Sequence, residues 1–257
     1  MPFRYEPKRL LELLADHPLR GLLWTTVALL AIRPAVEQTA ALLVVDAVFI
    51  AVLVAVVRRL AHSKRLFRFC LVLLTATVLA RIVRELQIDG GGGSTFDWTI
   101  TATTLLSGAF VAFVLALLLN YALRAPRVTQ NTVLASVCAY VLLGVVWGFI
   151  YLLIYEFNPA AFTLDTTEGT PEVQLRYFSM ITLTTIGYGD IMPKSTGARA
   201  MSALEGLVGQ IYLTAILARL VGIEVASATS RGGADEEAAA SRPPGTDPPE
   251  KNAARGA

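Results

Sequence analysis

A run of six residues between two long apolar stretches carries the clearest chemical signal in this chain of 257 residues. The run is Thr185, Ile186, Gly187, Tyr188, Gly189 and Asp190. Two glycines alternate with larger residues, and glycine adopts backbone angles that other residues reach only with strain. Such angles at alternate positions can turn successive carbonyl oxygens toward one axis, where they replace the hydration shell of a cation. The run therefore predicts a cation-binding column of backbone carbonyls.

This order of residues resembles the selectivity filter of potassium channels, with Ile186 in the place of valine. Residues 131–224 look like the outer helix, pore helix, filter and inner helix of that family. The resemblance implies K⁺ coordination by four carbonyls and places Asp190 at the outer mouth. The implied ligands are the carbonyls of Thr185, Ile186, Gly187 and Tyr188, together with the Thr185 hydroxyl. No enzymatic activity is expected, and no cofactor other than the permeant K⁺.

The composition indicates a membrane protein, because 54% of the residues are hydrophobic and only 16% are charged. The apolar stretches predict an all-α fold of six transmembrane helices. These spans are placed at 20–33, 39–57, 66–88, 97–123, 131–157 and 199–224. Basic clusters at the N-terminus and between Arg58 and Arg68 are expected in the cytoplasm, which puts two crossings between them and both termini inside. The Ala- and Arg-rich composition points to a bacterial inner membrane.

The chain divides into four predicted parts. They are a cytoplasmic N-terminus (1–19), a four-helix membrane domain (20–127), a pore domain (128–225) and a disordered cytoplasmic tail (226–257). The four-helix domain occupies the place of a voltage sensor, in which each charge is worth about 2.3 kcal/mol per 100 mV. Its last span has no basic residue from Phe96 through Leu123, which argues against strong voltage gating. The tail leaves no room for a soluble ligand-binding domain, and no nucleic-acid partner is expected.

A short helix that enters the membrane and returns is predicted at 171–184. Pro171 suits a first helical turn, and Glu172 is favourable at the positive start of a helix. The negative C-terminal end of this helix would favour a cation in the central cavity. A ring of carbonyls needs four filters, and the chain has one, so we expect a homotetramer surrounded by lipid.

Polar residues and glycines in the last span are candidates for gating or for lining the cavity. They are Glu205, Gly206, Gly209 and Gln210. The resemblance turns Gln210 toward the cavity below Thr185 and Glu205 toward a pore helix, where a structural hydrogen bond is the favoured role and proton sensing the alternative. Gly209 stands where many potassium channels place a hinge glycine, and the two glycines serve either as packing sites or as a bending point.

Two further charges lie inside predicted spans. Asp46 and Arg81 are each about seven residues from the outer end of a span, which is a depth of roughly 10 Å, so they are predicted to form an intramembrane ion pair. Two other functions stay open from the sequence. One is a non-selective cation channel, against which Tyr188 argues, and the other is a non-conducting modulatory subunit of a channel complex.

Overall fold

The computed structural model describes residues 19, 21–26, 49–58, 64–88, 98–165, 167 and 169–240. The regular elements within these ranges are helices, apart from one isolated bridge between Phe162 and Pro193, and the all-α prediction is confirmed for them. Two short helical segments, 21–26 and Phe49–Arg58, come first. The longer helices are α1 (Lys64–Ile88), α2 (Trp98–Arg124), α3 (Gln130–Phe157), α4 (Pro171–Leu183) and α5 (Thr196–Ala240), with a 3-10 turn at Pro159–Ala161.

Three helices of the described part are long and apolar enough to cross a membrane. They are Thr99–Arg124, Gln130–Phe157 and Thr196–Ile223, which coincide with the last three predicted spans. Helix α1 coincides with the third predicted span. Much of the first two spans lies outside the described residues, so the total of six spans stays a prediction.

Helices α2 and α3 share one apolar core with the segments before them. Val114 and Leu118 of α2 and Leu142 of α3 are completely buried in this core. Lipid tails are as apolar as these side chains, so close van der Waals contact, more than removal from water, holds such helices together. Helix α1 joins through an edge-on contact of Phe69 with Phe113, whose ring centres are 5.3 Å apart. The core therefore fixes α3, the helix against which the next element packs.

Helix α4 is short and lies between α3 and α5. Its 13 residues rise about 20 Å, whereas the hydrocarbon core of a bilayer is about 30 Å thick. It begins at Pro171, where a missing N–H costs no hydrogen bond, and Glu172 lies in its first turn. Buried residues occur from Gln174 to Leu183, whereas Tyr177 is exposed, so much of the helix surface packs against protein.

The last helix is longer than the sequence predicts. Disorder is predicted from residue 226, but α5 continues without a break to Ala240. Alanine and glutamate, which favour helices, are frequent between Ala234 and Ala240, and they outweigh the cost of two adjacent glycines. Pro243 and Pro244 follow closely and disfavour further helix. The remainder of the predicted tail, 241–257, lies outside the described residues.

Candidate functional site

The C-terminal end of α4 closes with two hydrogen bonds that define the start of residues 185–190, the segment that resembles a selectivity filter and is here named the filter segment. The N–H of Thr185 donates to the carbonyl of Thr182 at 3.0 Å, and the N–H of Ile186 donates to the carbonyl of Ile181 at 2.9 Å. This pair of bonds is the Schellman motif, in which the residue after the helix cap has a left-handed backbone. Thr185 occupies that position with φ of 60°. The helix end thus sets the direction in which the filter segment leaves.

A left-handed backbone recurs at every second residue of the filter segment. Thr185 has φ of 60°, Gly187 has φ of 55° and Gly189 has φ of 81°, and neither intervening residue has a positive φ. Helices and strands repeat one pair of angles, so this alternation belongs to neither. Gly187 and Gly189 accept these angles without a Cβ penalty. The geometry has the alternation that the glycine spacing predicts.

Thr185 is the strained member of this set. A β-branched residue with positive φ is an outlier, and such positions cost on the order of 1–3 kcal/mol. Glycine is the usual residue at this place in a Schellman motif, yet this chain has a residue with a hydroxyl group. The sequence reasoning gave Thr185 a side-chain role but missed the strain. The signal was its place directly after the cap of a helix.

The side chains of the filter segment are uncovered within one chain. Ile186 is 54% exposed and Tyr188 is 72% exposed, and Asp190 is also exposed. The glycines between them have open space where a Cβ would lie, so their requirement comes from φ and not from crowding. The filter segment therefore lies at the surface of a single chain and is not enclosed by it.

The return segment after the filter is pinned to the loop that follows α3. The N–H of Thr163 donates to the carbonyl of Met192 at 3.0 Å, and the N–H of Met192 donates to the Thr163 hydroxyl at 2.7 Å. The N–H of Lys194 donates to the carbonyl of Ala161 at 2.7 Å. Both ends of the filter segment are thus fixed by hydrogen bonds.

An aromatic cluster lies beneath this return segment. Tyr151, Phe162 and Phe178 contact one another edge-on, with ring centres 5.1 to 5.6 Å apart. The three residues come from α3, the following loop and α4. Pairs of this geometry contribute about 0.5–1.5 kcal/mol beyond the area they bury. The cluster joins α3 to α4 on the side of the loop.

The two glycines of α5 have different surroundings. A Cβ at Gly209 would lie 2.8 Å from the carbonyl oxygen of Leu183, the last residue of α4. A Cβ at Gly206 would meet no atom within 4 Å. Close approach to the end of α4 therefore accounts for Gly209, whereas no contact within the chain explains Gly206.

Glu205 is completely buried between α3, α4 and α5. Its Oε2 accepts from the Tyr151 hydroxyl at 2.5 Å, and its Oε1 lies 2.5 Å from the Ser179 hydroxyl. The structure thus turns Glu205 toward α4 of its own chain, the helix that the sequence analysis predicts as a pore helix. The side chain of Gln210, by contrast, is exposed. The predicted ion pair is not among these features, because Asp46 and the side chain of Arg81 lie outside the described part of the chain.

The residues around the filter match known channels. Residues 137–225 match a family model described as "Ion channel". The chain is 34% identical over 91 residues to "Two-pore potassium channel 2" of Arabidopsis thaliana, covering 35% of this chain and 18% of the relative. It is 34% identical over 96 residues to "Two-pore potassium channel 3" of the same plant, covering 37% and 21%.

A viral protein is similar over a shorter stretch. "Potassium channel protein kcv" of Paramecium bursaria Chlorella virus 1 is 35% identical over 54 residues, which is 19% of this chain and 57% of the viral protein. The chain thus spans less than two thirds of the length of each of these relatives. No solved structure matches the chain significantly. Together with the apolar helices of the described part, these matches indicate a membrane protein whose residues 137–225 resemble an ion channel, and the relatives that share this part are named as potassium channels.

Proposed function

We propose that four copies of the chain assemble around a fourfold axis and conduct K⁺ passively through a column of filter carbonyls. The ligands are those of the sequence prediction: the carbonyls of Thr185, Ile186, Gly187 and Tyr188, and the Thr185 hydroxyl. The alternation of left-handed backbone at Thr185, Gly187 and Gly189 is the single observation that carries this proposal. It supports a run of peptide groups turned to one side, which is what replacement of a hydration shell requires.

The strained Thr185 supports the same assignment. A glycine at this position would remove the strain and also remove the hydroxyl. Backbone strain persists where the surrounding structure enforces it, and it concentrates at functional sites. Here the Schellman bonds of α4 enforce it, and the hydroxyl supplies the innermost oxygen of the proposed column.

The uncovered surfaces of a single chain support assembly of several copies. Only 11% of the most apolar stretch of Thr196–Ile223 is buried within the chain, compared with 39% for Gln130–Phe157. The amide of Gln210 lies on an exposed face of this helix, together with Leu207 and Ile211. A polar amide facing lipid is unfavourable, so this face is better suited to a neighbouring copy or to a water-filled cavity. One filter segment per chain makes four copies the number that closes the ring.

The proposed orientation places both termini in the cytoplasm and Asp190 at the outer mouth, in a bacterial inner membrane. It follows from the basic residues near Arg58 and Arg124, because Lys and Arg collect in cytoplasmic loops.

Ion flux from liposomes that contain only the purified protein tests the proposal. We expect K⁺ flux that greatly exceeds Na⁺ flux and that is blocked by barium, an ion similar in size to K⁺. Equal flux of both cations would instead establish a non-selective channel. Flux that requires a second channel chain would establish a modulatory subunit. The mass of the complex in detergent measures the copy number independently, and any value other than four copies contradicts the fourfold pore.

A further inference from the structure

Three helices meet at the carboxyl group of Glu205, behind the filter. The carboxyl belongs to α5, Tyr151 to α3 and Ser179 to α4. Tyr151 is also completely buried, and so is Ser179. The group is therefore shielded from water within the chain, and among the described residues its hydrogen-bond partners are Tyr151 and Ser179.

The count of protons does not balance for an ionised carboxylate. The Ser179 hydroxyl lies 2.7 Å from the carbonyl oxygen of Gly144 and 2.5 Å from Oε1 of Glu205. A serine hydroxyl carries one proton, and a backbone carbonyl can only accept. If Ser179 donates to Gly144, the short contact with Glu205 needs a proton from the carboxyl group. If Ser179 donates to Glu205 instead, two oxygen atoms lie 2.7 Å apart with no proton between them.

The charge of an ionised Glu205 would also lack a counter-ion. The titratable groups that face it from α3 are the phenols of Tyr151 and Tyr140. The basic residue of α4, Arg176, pairs at 2.7 Å with Glu172 and lies over the ring of Phe149. Within the described residues no cation bonds to Glu205. Burial of an unpaired carboxylate is strongly unfavourable, whereas burial of a hydrogen-bonded acid is tolerated.

We infer that Glu205 is a neutral carboxylic acid whose O–H donates to Ser179, which in turn donates to the carbonyl of Gly144, while Tyr151 donates to the other carboxyl oxygen. Every proton in this chain of bonds then has one donor and one acceptor. The acid acts as a positioning residue, because it joins the outer, pore and inner helices through a single group.

Loss of the proton from the carboxyl group of Glu205 would weaken the contact between α3, α4 and α5. Ser179 would have to donate to the carboxylate, and its contact with Gly144 would lose its proton. Ser179 lies four residues before Leu183, whose carbonyl accepts from the Tyr140 hydroxyl at 3.0 Å and lies against Gly209. Ionisation therefore loosens the helix end that holds the filter. The protonation state rests on the geometry alone, whereas this effect on conduction rests on the proposed function.

Infrared difference spectra of the purified protein test the protonation state directly. Glu205→Gln is a close mimic of the acid, since an amide accepts from Tyr151 and donates to Ser179. Wild type minus E205Q at neutral pH is expected to show a carboxylic-acid C=O band that shifts in D₂O. A difference spectrum with carboxylate bands in its place would overturn the inference.

A second variant covers the case in which E205Q does not assemble. Ser179→Ala removes the acceptor of the acid proton, so the same C=O band is expected to persist and to shift toward higher frequency. An unchanged carboxylic-acid region in S179A would contradict the proposed bond. The wild-type band is also expected to decrease on titration from neutral to alkaline pH.

The ratio of K⁺ flux at alkaline pH to flux at neutral pH tests the consequence. We expect a loss of flux with rising pH in wild type and a ratio near one in E205Q, whatever its absolute flux. The same alkaline loss in both proteins would show that Glu205 does not couple to the filter. A preparation with the infrared band but no K⁺ flux supports the neutral acid and contradicts the proposed function, so the two failures are distinguishable.

Discussion

Hydroxyl groups are used differently in the two halves of the described chain. Before Arg124, the hydroxyl of Thr104 bonds to Glu156 of α3. Five other threonines turn back to a carbonyl three or four residues earlier in their own helix, namely Thr25, Thr26, Thr75, Thr77 and Thr103. After Gln130, some hydroxyls do the same, among them those of Ser136 and Thr214, but several others reach across to other helices. These bonds include Tyr140 to Leu183, Tyr212 to Ser136 and Ser179 to Gly144. Hydroxyl bonds between helices are thus more frequent in the second half of the described chain than in the first.

The difference reflects what each half has to fix. A hydrogen bond within one helix does not fix the position of the neighbouring helix. The arrangement of helices in the first half therefore depends on van der Waals packing. A bond between helices is directional and fixes distance and rotation together. The halves share the apolar core of α2 and α3, and hydrogen bonds between them include the bond from Thr104 to Glu156 and that from Arg219 to the carbonyl of Ala125. The precise geometry is concentrated around the filter.

Substitution in the filter itself is expected to have the largest effect. Gly187→Ala places a Cβ on a residue with φ of 55°, which costs about 1–2 kcal/mol in each copy. The backbone then relaxes out of the alternation, and K⁺ selectivity is lost in the liposome flux measurement. Gly197→Ala is the matched control, because Gly197 has no positive φ and a Cβ there would meet no atom within 4 Å. Unchanged selectivity in G187A would contradict the filter assignment.

The pair Gly209 and Gly206 separates packing from bending on one helix. In Gly209→Ala the new Cβ would lie 2.8 Å from the Leu183 carbonyl, so α5 or α4 must move, and overpacking of this kind costs about 1–3 kcal/mol. Gly206→Ala meets no atom in the chain and gains helix propensity. We expect the complex of G209A to dissociate at a lower temperature, and that of G206A to be unchanged or more stable. Equal stability of both variants would leave bending as the role of Gly209.

Local demands on the backbone could be predicted from the sequence, and contacts between helices could not. Glycine spacing predicts the angles at Gly187 and Gly189, because each constraint is local, and Pro171 marks the start of the pore helix. For Glu205 the sequence predicts only that the side chain faces a pore helix, and it does not predict which residues bind the carboxyl group. Tyr151 lies 54 residues earlier, and the rotation of each helix about its axis depends on packing that apolar patterns leave open. The left-handed backbone of Thr185 was not predicted, because β-branched residues rarely adopt a positive φ.

A bond between helices in the second half is expected to contribute more than a bond within a helix in the first. Tyr212→Phe keeps the ring, which stacks on Tyr140, and removes the 2.7 Å bond to the Ser136 carbonyl. The expected loss is about 1 kcal/mol in the free energy of unfolding by denaturing detergent. Thr77→Val removes a bond to the Leu73 carbonyl in its own helix and is expected within about 0.5 kcal/mol of wild type. Similar losses in both variants would remove the distinction between the halves.

The smallest expected effect lies in the loop before α4, where a polar side chain orders an exposed segment. The hydroxyl of Thr167 donates to Oδ1 of Asp165 at 2.6 Å and its backbone N–H donates to the same atom at 2.8 Å. These two bonds, the hydroxyl first, lower the pKa of Asp165. The side chain of the buried Gln174 in α4 binds the backbone of Asp165: its Oε1 accepts from the N–H of Asp165, and its Nε2 donates to the carbonyl of Asp165. The order of the loop should therefore decrease when Asp165 is protonated. The bonds from Gln174 should keep the loop partly ordered.

The sign follows from the lowered pKa. A carboxyl group whose folded pKa is depressed stabilises the loop above its ordinary pKa, and this contribution is lost as the pH falls through the lowered value. Hydrogen exchange of the loop amides in Thr167→Ala, divided by that in wild type at each pH, cancels the intrinsic pH dependence of exchange. We expect this ratio to exceed one at neutral pH and to approach one in acid. A ratio that stays constant over the whole range would mean that the hydroxyl does not depend on the charge of Asp165, and that the bonds from Gln174 alone order the loop.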